Sequence, residues 1–192
     1  MSDTLKGKKI AIIATDGVEQ VELVTPRDAV QDAGATTELL SVQSGEIQAM
    51  NSDIEPADTF AVDKAIGDAS PDDYDGLILP GGTVNADRLR MDENVISFLQ
   101  KFFADAKPVG VICHGPWSLV EADLVRGRTL TSYPSLRTDI RNAGGEVVDE
   151  QVVVDEGLVS SRNPDDLPAF CAKIVEEFAE GKHERARAGA TA

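Results

Sequence analysis

Cysteine is scarce in this chain of 192 residues, which holds two, Cys113 and Cys171. That is too few for a disulfide framework and points to a reducing compartment, although a single bridge stays open at this stage. Histidine is equally rare, with His114 and His183 the only two. These four residues lie too far apart in sequence for a zinc-type ligand set, and the adjacent pair Cys113 and His114 is poorly placed to share one ion, so neither a metal nor any other cofactor is expected. Basic residues are few: 18 Lys and Arg face 34 Asp and Glu, a net charge of −16. Such a surface repels the nucleic-acid backbone, which removes DNA and RNA from the list of partners. It fits a self-repelling soluble protein, with a salt-rich habitat as the alternative. Long apolar runs are missing too: nothing approaches the roughly 18 residues of a membrane span, and the opening "MSDTLKGKK" lacks the apolar centre of a secretion signal. A cytoplasmic protein with no membrane contact is expected. Neither a P-loop nor a G-x-G-x-x-G fingerprint is present. With no internal repeat or linker, residues 1–181 read as one domain and "KHERARAGATA" at 182–192 as a disordered tail.

What the chain does contain is alternation. "KKIAIIAT" is a short apolar run followed by a helical spacing over 21–34 that ends at Gly34, with Pro26 tolerable only near its first turn. "TTELLSV" is the next strand, "SGEIQAM" turns into a hairpin arm, and 51–75, rich in Asp, Ala and Pro, reads as irregular. "YDGLILPGG" is a buried strand entering a double glycine, and 94–107 carries Val95, Phe98, Leu99, Phe102 and Phe103 on one helical stripe. "PVGVI", a helix after Cys113, "RTLTSY" as a strand, a glycine-stopped helix at 135–145, two strands around Asp-Glu-Gly at 155–157 and a final amphipathic helix complete the pattern. Strand and helix in this order predict an α/β layered fold with a mostly parallel central sheet, whose sites sit at the carboxyl ends of its strands.

"VGVICHGPW" places Cys113 at such an end, where a strand gives way to a helix. A helix N-terminus favours an anion, so a thiolate below the ordinary thiol value of about 8.5 is expected, and with it a nucleophile. Gly115 permits close approach and Pro116 suits a first helical turn. Cys171, within the apolar face of the last helix, reads as core. His183 lies in the polar tail, so Cys–His chemistry must use His114. No H-x-E follows on a later strand, which argues against a glutamine amidotransferase triad. Gly81 and Gly82 follow a strand that neighbours the Cys113 strand. Their N–H groups, with that of His114, are candidates for holding an oxyanion, an ordinary glycine turn being the alternative.

The stretches "VELVTP", "LILPGG", "ICHGPW", "VRGRTLTSYPSLRTDIRNAGGEVVDEQVVVD" and "SSRNPDDLPAF", in that order, resemble the PfpI branch of the ThiJ/PfpI superfamily over residues 8 to 180. The resemblance implies a flavodoxin-like three-layer sandwich, related to class I glutamine amidotransferases, that self-associates as a dimer or higher oligomer. It also implies a glutamate beside the cysteine sulfur, which maps to Glu22 with Glu19 as runner-up. Two carboxyl and thiol charges side by side are unfavourable, so Glu22 is expected to stay protonated and to donate to sulfur. In protease-like members an acid from a neighbouring subunit orients the histidine. That position falls on Asp87, one methylene shorter than the family's glutamate. Trp117 replaces a polar residue and either narrows the pocket or packs, with packing favoured. The functions implied are a cofactor-independent enzyme acting on reactive carbonyls, of glyoxalase or deglycase type, with an intracellular cysteine peptidase or a redox-sensing or chaperone-like stress protein as alternatives. The corresponding substrates are a small aldehyde or a peptide.

Overall fold

Apolar runs between polar punctuation become strands, and the amphipathic stretches behind them become helices. In a computed structural model, which describes residues 3–182, the chain passes through β1 (Lys9–Ile13), β2 (Val18–Glu19), α1 (Gln20–Asp32), β3 (Thr36–Ser41), β4 (Glu46–Asn51), β5 (Glu55–Ala61) and β6 (Lys64–Ala65). It continues through β7 (Gly76–Leu79), α2 (Thr83–Arg90), α3 (Glu93–Ala104), β8 (Val109–Ile112), α4 (Pro116–Glu121), β9 (Thr129–Leu130) and α5 (Arg137–Asn142). The last elements are β10 (Glu146–Val147), β11 (Val152–Asp155), β12 (Leu158–Ser161) and α6 (Leu167–Glu180). A seven-stranded sheet in the order β11-β12-β8-β7-β1-β3-β6 forms the centre. Its pairings are parallel except the β11–β12 hairpin, whose turn residues Glu156 and Gly157 both have positive φ.

The period of two along each strand sorts side chains into two layers. Ile10 and Ile12 of β1, with Ile78, Ile112 and Val159, pack against Leu23 and Val30 of α1 and Phe170, Ile174 and Phe178 of α6. Ala11 and Ile13, with Leu77, Leu79, Val109 and Val111, pack against Phe98, Leu99 and Phe102 of α3 and Leu119 of α4. Burying one such large side chain contributes about 1.5–3 kcal/mol, so helices cover both faces of the sheet. This is the flavodoxin-like three-layer arrangement expected from the alternation and the resemblance. The helix after β1 lies in one layer and those after β7 and β8 in the other, so the order reverses between β1 and β7, where the carboxyl ends of the strands open onto a crevice.

Three segments depart from expectation. Pro26 sits inside α1 and not in its first turn, buried and with no N–H to give the carbonyl one turn back. Residues 51–75 are not irregular throughout: β5 pairs antiparallel with β4, in a small sheet that also holds β2. Its sequence EPADTFA is mostly solvent-facing, so it carries no core pattern to read. In "RTLTSY" only Thr129 and Leu130 form a strand, paired with β10 away from the central sheet. Beyond them the Thr131 N–H goes to Ser160 Oγ and the Tyr133 N–H to Cys113 O, which draws the segment toward the crevice. Of the expected tail at 182–192, residues 183–192, His183 included, lie outside the described residues. No helix among the described residues is long and apolar enough to cross a membrane.

Candidate active site

Strand β8 is buried along its whole length and ends at Ile112, paired in parallel with Ser161. The next residue, Cys113, adopts φ 60°. A left-handed conformation costs a non-glycine residue about 1–2 kcal/mol, so it persists only where its surroundings enforce it. Here the Cys113 N–H bonds Ser161 O at 3.1 Å, the Cys113 carbonyl accepts from Tyr133 N–H at 2.9 Å, and Gly115 N–H returns to Ile112 O at 2.9 Å. Pro116 then opens α4. The sulfur is thereby turned into the crevice, and the residue stays 6% exposed. Both cysteines are free thiols.

Glu22, in the first turn of α1, is fully buried. Its Oε2 accepts the Gly81 N–H at 2.8 Å, its carboxyl hydrogen-bonds the Cys113 thiol, and Oε1 has no hydrogen-bond partner among the described residues. Burial pushes its pKa up to about 8 against the pull of the Gly81 amide, and the charges of Glu19 and Asp53 add to the rise. Gly81 is what lets these groups meet, because a Cβ there would collide with Glu22 Oε2 and the Cys113 Cβ. At Cys113, burial is the largest influence and raises the thiol pKa, as does charge on Glu22, while the Gly82 and His114 backbone N–H groups lower it. The expectation that the helix terminus governs the thiol is therefore corrected: α4 begins three residues further on, and desolvation outweighs it.

His114 is buried beneath Tyr133, ring centroids 4.6 Å apart. Its Nδ1 lies 3.1 Å from Cys113 Sγ. Nε2 lies 3.2 Å from Ser135 Oγ and 3.4 Å from Thr83 Oγ1. Burial lowers the imidazole pKa below its ordinary 6.5, with Asp53 opposing, so the ring is neutral at pH 7. Thr83 in turn gives its N–H to Asp53 Oδ1 at 2.7 Å and its hydroxyl to Asp53 Oδ2 at 3.0 Å. Glu19 does not reach the sulfur. As the residue preceding α1 it points outward, and its carboxylate takes the N–H groups of Ser52 and Asp53 at 3.0 and 3.1 Å, holding the β4–β5 turn.

Asp87 is exposed on α2, and the groups that meet the ring nitrogens of its own chain's His114 are Cys113, Thr83 and Ser135. Trp117 packs half-buried against the core, donates Nε1–H to Asp139 at 2.9 Å and lies under Arg90 at 4.9 Å. Packing, the favoured reading, describes it. The Gly81 amide, offered to an oxyanion by sequence, is engaged by Glu22, which leaves the Gly82 and His114 amides beside the sulfur. Thr83, Asp53 and Ser135 escaped the sequence reading. The "NSD" cluster at 51–53 marks a turn, yet nothing local says that this turn lands on the histidine. Among the described residues one set of carboxylates, Glu176, Glu177 and Glu180, gathers within 4.8 Å on α6, on another element from the cysteine site.

A buried acid, a strained cysteine and a buried imidazole at the carboxyl edge of a doubly wound sheet define an α/β protein with a cysteine at a sharp strand-to-helix corner. The sequence profile of the DJ-1/PfpI family matches residues 8–177, and the chain belongs to that family. It is 41% identical over 165 residues to the Escherichia coli protein named Protein/nucleic acid deglycase 2, covering 85% of this chain and 93% of that one. To General stress protein 18 of Bacillus subtilis it is 40% identical over 166 residues, with coverages of 85% and 94%. Among solved structures, a two-domain protein of Anabaena variabilis containing DJ-1/ThiJ/PfpI-like and ferritin-like domains superposes with a TM-score of 0.84 at 30% identity, over 95% of this chain and 52% of that one.

Proposed function

We propose that the protein is a cofactor-independent enzyme that converts reactive 2-oxoaldehydes to 2-hydroxy acids through Cys113, in a reducing cytoplasm. One observation carries this reading: a buried carboxyl with its pKa raised to about 8 is hydrogen-bonded to the thiol at the strained corner. The resting pair holds a proton on each group; once one has left, two positions of the other compete. With Glu22 ionised, the carboxylate keeps a single backbone donor and a bare Oε1. With Glu22 protonated, its charge no longer opposes the sulfur, and a thiolate gains the Glu22 O–H beside the Gly82 and His114 amides. Hydrogen bonds to charged groups contribute about 1.5–3 kcal/mol each, so three from O–H and N–H donors offset a burial cost of several kcal/mol that the Gly81 amide and the weak Cys113 S–H do not. The proton belongs on Glu22.

The thiolate adds to the aldehyde carbon, and the carbonyl oxygen takes the Glu22 proton, giving a hemithioacetal. The hydrogen on that carbon leaves as a proton to His114 and is returned at the neighbouring ketone carbon, while Glu22 passes the hydroxyl proton to the ketone oxygen. The product is a thioester: one carbon is oxidised, its neighbour reduced, and no outside oxidant is needed. Water cleaves the C–S bond, restores the thiolate and the Glu22 proton, and frees the hydroxy acid as a carboxylate with one proton. The deglycase name of the E. coli relative supports carbonyl chemistry. The test is turnover of methylglyoxal by the wild type and by Cys113→Ala. Turnover confined to the wild type is expected. No turnover, with one equivalent of peroxide oxidising Cys113, would replace the enzyme by a redox sensor.

A further inference from the structure

Around His114 the hydrogen-bond directions follow from the groups that have no choice. The Asp53 carboxylate takes both the N–H and the O–H of Thr83. The Thr83 hydroxyl has one proton. Having given it to Asp53, the oxygen meets His114 Nε2, 3.4 Å away, as an acceptor. That acceptor favours the ring hydrogen on Nε2, where the Ser135 hydroxyl, 3.2 Å away and free to turn, can accept the same hydrogen. A neutral imidazole has one N–H, so Nδ1 is left with its lone pair to accept the S–H of the resting Cys113 thiol, whose sulfur lies 3.1 Å away.

We propose that Asp53, acting through Thr83, holds His114 in the Nε2–H tautomer and so makes Nδ1 the base beside the Cys113 sulfur. Both are positioning residues, since neither touches the reacting atoms. The device is built within one chain. Ser52 and Asp53 adopt φ of 53° and 65°, a strained pair for residues other than glycine, and their N–H groups converge on the Glu19 carboxylate, which presents Asp53 to the start of α2. An acid thus acts on His114 without any contribution from Asp87, and its sequence position, 30 residues before Thr83 on a separate small sheet, hides it from motif reading.

The kinetic arm of the test rests on the proposed carbonyl chemistry, and the spectroscopic arm does not. Nitrogen-15 NMR of the substrate-free protein, in a His183→Gln background that leaves His114 as the single histidine, reads the tautomer directly. The Nε2–H form is expected in the parent and in Thr83→Ser. Thr83→Val, which keeps the backbone donor to Asp53 and the side-chain shape, is expected to lose its dominance, and Asp53→Ala to reproduce the loss. With methylglyoxal, kcat is expected to fall on the order of 10²-fold in Thr83→Val with KM within about twofold, and to return in Thr83→Ser. Absence of turnover in the parent would sink the carbonyl reading and leave the tautomer to decide this one. An Nδ1–H parent, or an Nε2–H form undiminished in Thr83→Val, would overturn it.

Discussion

At position 22 a carboxyl that water would ionise is buried completely, and its charge state bears on the thiol beside it. Held neutral, Glu22 is a donor to sulfur; ionised, it is a like charge beside it. Replacing it separates the two effects. Glu22→Leu removes the donor and is expected to slow iodoacetamide alkylation of Cys113 at pH 7 by about tenfold or more, one lost charge-assisted bond corresponding to about 1.5–3 kcal/mol. Glu22→Gln, which keeps an N–H for sulfur and an oxygen for Gly81, is expected to stay within severalfold of the wild type. Mass spectrometry of the peptide containing residue 113 separates the result from Cys171. At this scale the meeting of Cys113, His114 and Glu22 was legible, because a β-branched run breaking into C-H-G-P marks a corner and the "VELVTP" resemblance supplies the acid. Glu19 and Gly81 were named for tasks other than the bonds they make here. Their letters show a helix start and a glycine turn, whereas their bonds depend on where β4 and β7 come to rest.

Among the elements, the β4–β5 hairpin shows how a surface feature reaches a buried ring. Strand β5 offers no core pattern, and its fold follows from pairing with β4 and from the Glu19 clamp on the turn. Glu19→Ala leaves the Ser52 and Asp53 amides without their acceptor. Hydrogen exchange at those two amides is expected to accelerate by about tenfold or more, the scale of one lost hydrogen bond of about 1.5 kcal/mol, while β7 and β8 keep their protection. Unchanged exchange at Ser52 and Asp53 would remove the clamp from the description of the site. The central strands were readable as unbroken apolar runs because both their faces are buried, β7 and β8 along their whole length, and the long helices from the period of their apolar faces. Short pieces such as β9 and β10 were not, since two residues carry no period.

For the whole molecule, a net charge of −16 already disfavours adding another buried anion. The proton on Glu22 is therefore linked to the stability of the fold. Its pKa is about 8 when folded against an ordinary 4.5, so between those values the unfolded chain releases a proton that the folded chain keeps. Stability contributed by this group is complete below about 4.5 and declines as pH rises toward about 8, by up to about 1.4 kcal/mol per pH unit. Glu22→Gln is free of that decline, and the difference between the two chains cancels the titrations they share. Denaturant unfolding of both from pH 5 to 8.5 measures it: the expected result is a Gln variant whose stability relative to the wild type grows steadily through neutral pH and levels off above pH 8. A difference that stays constant from pH 5.5 upward would mean that Glu22 is already ionised there, and a protonated acid beside the Cys113 sulfur would be ruled out.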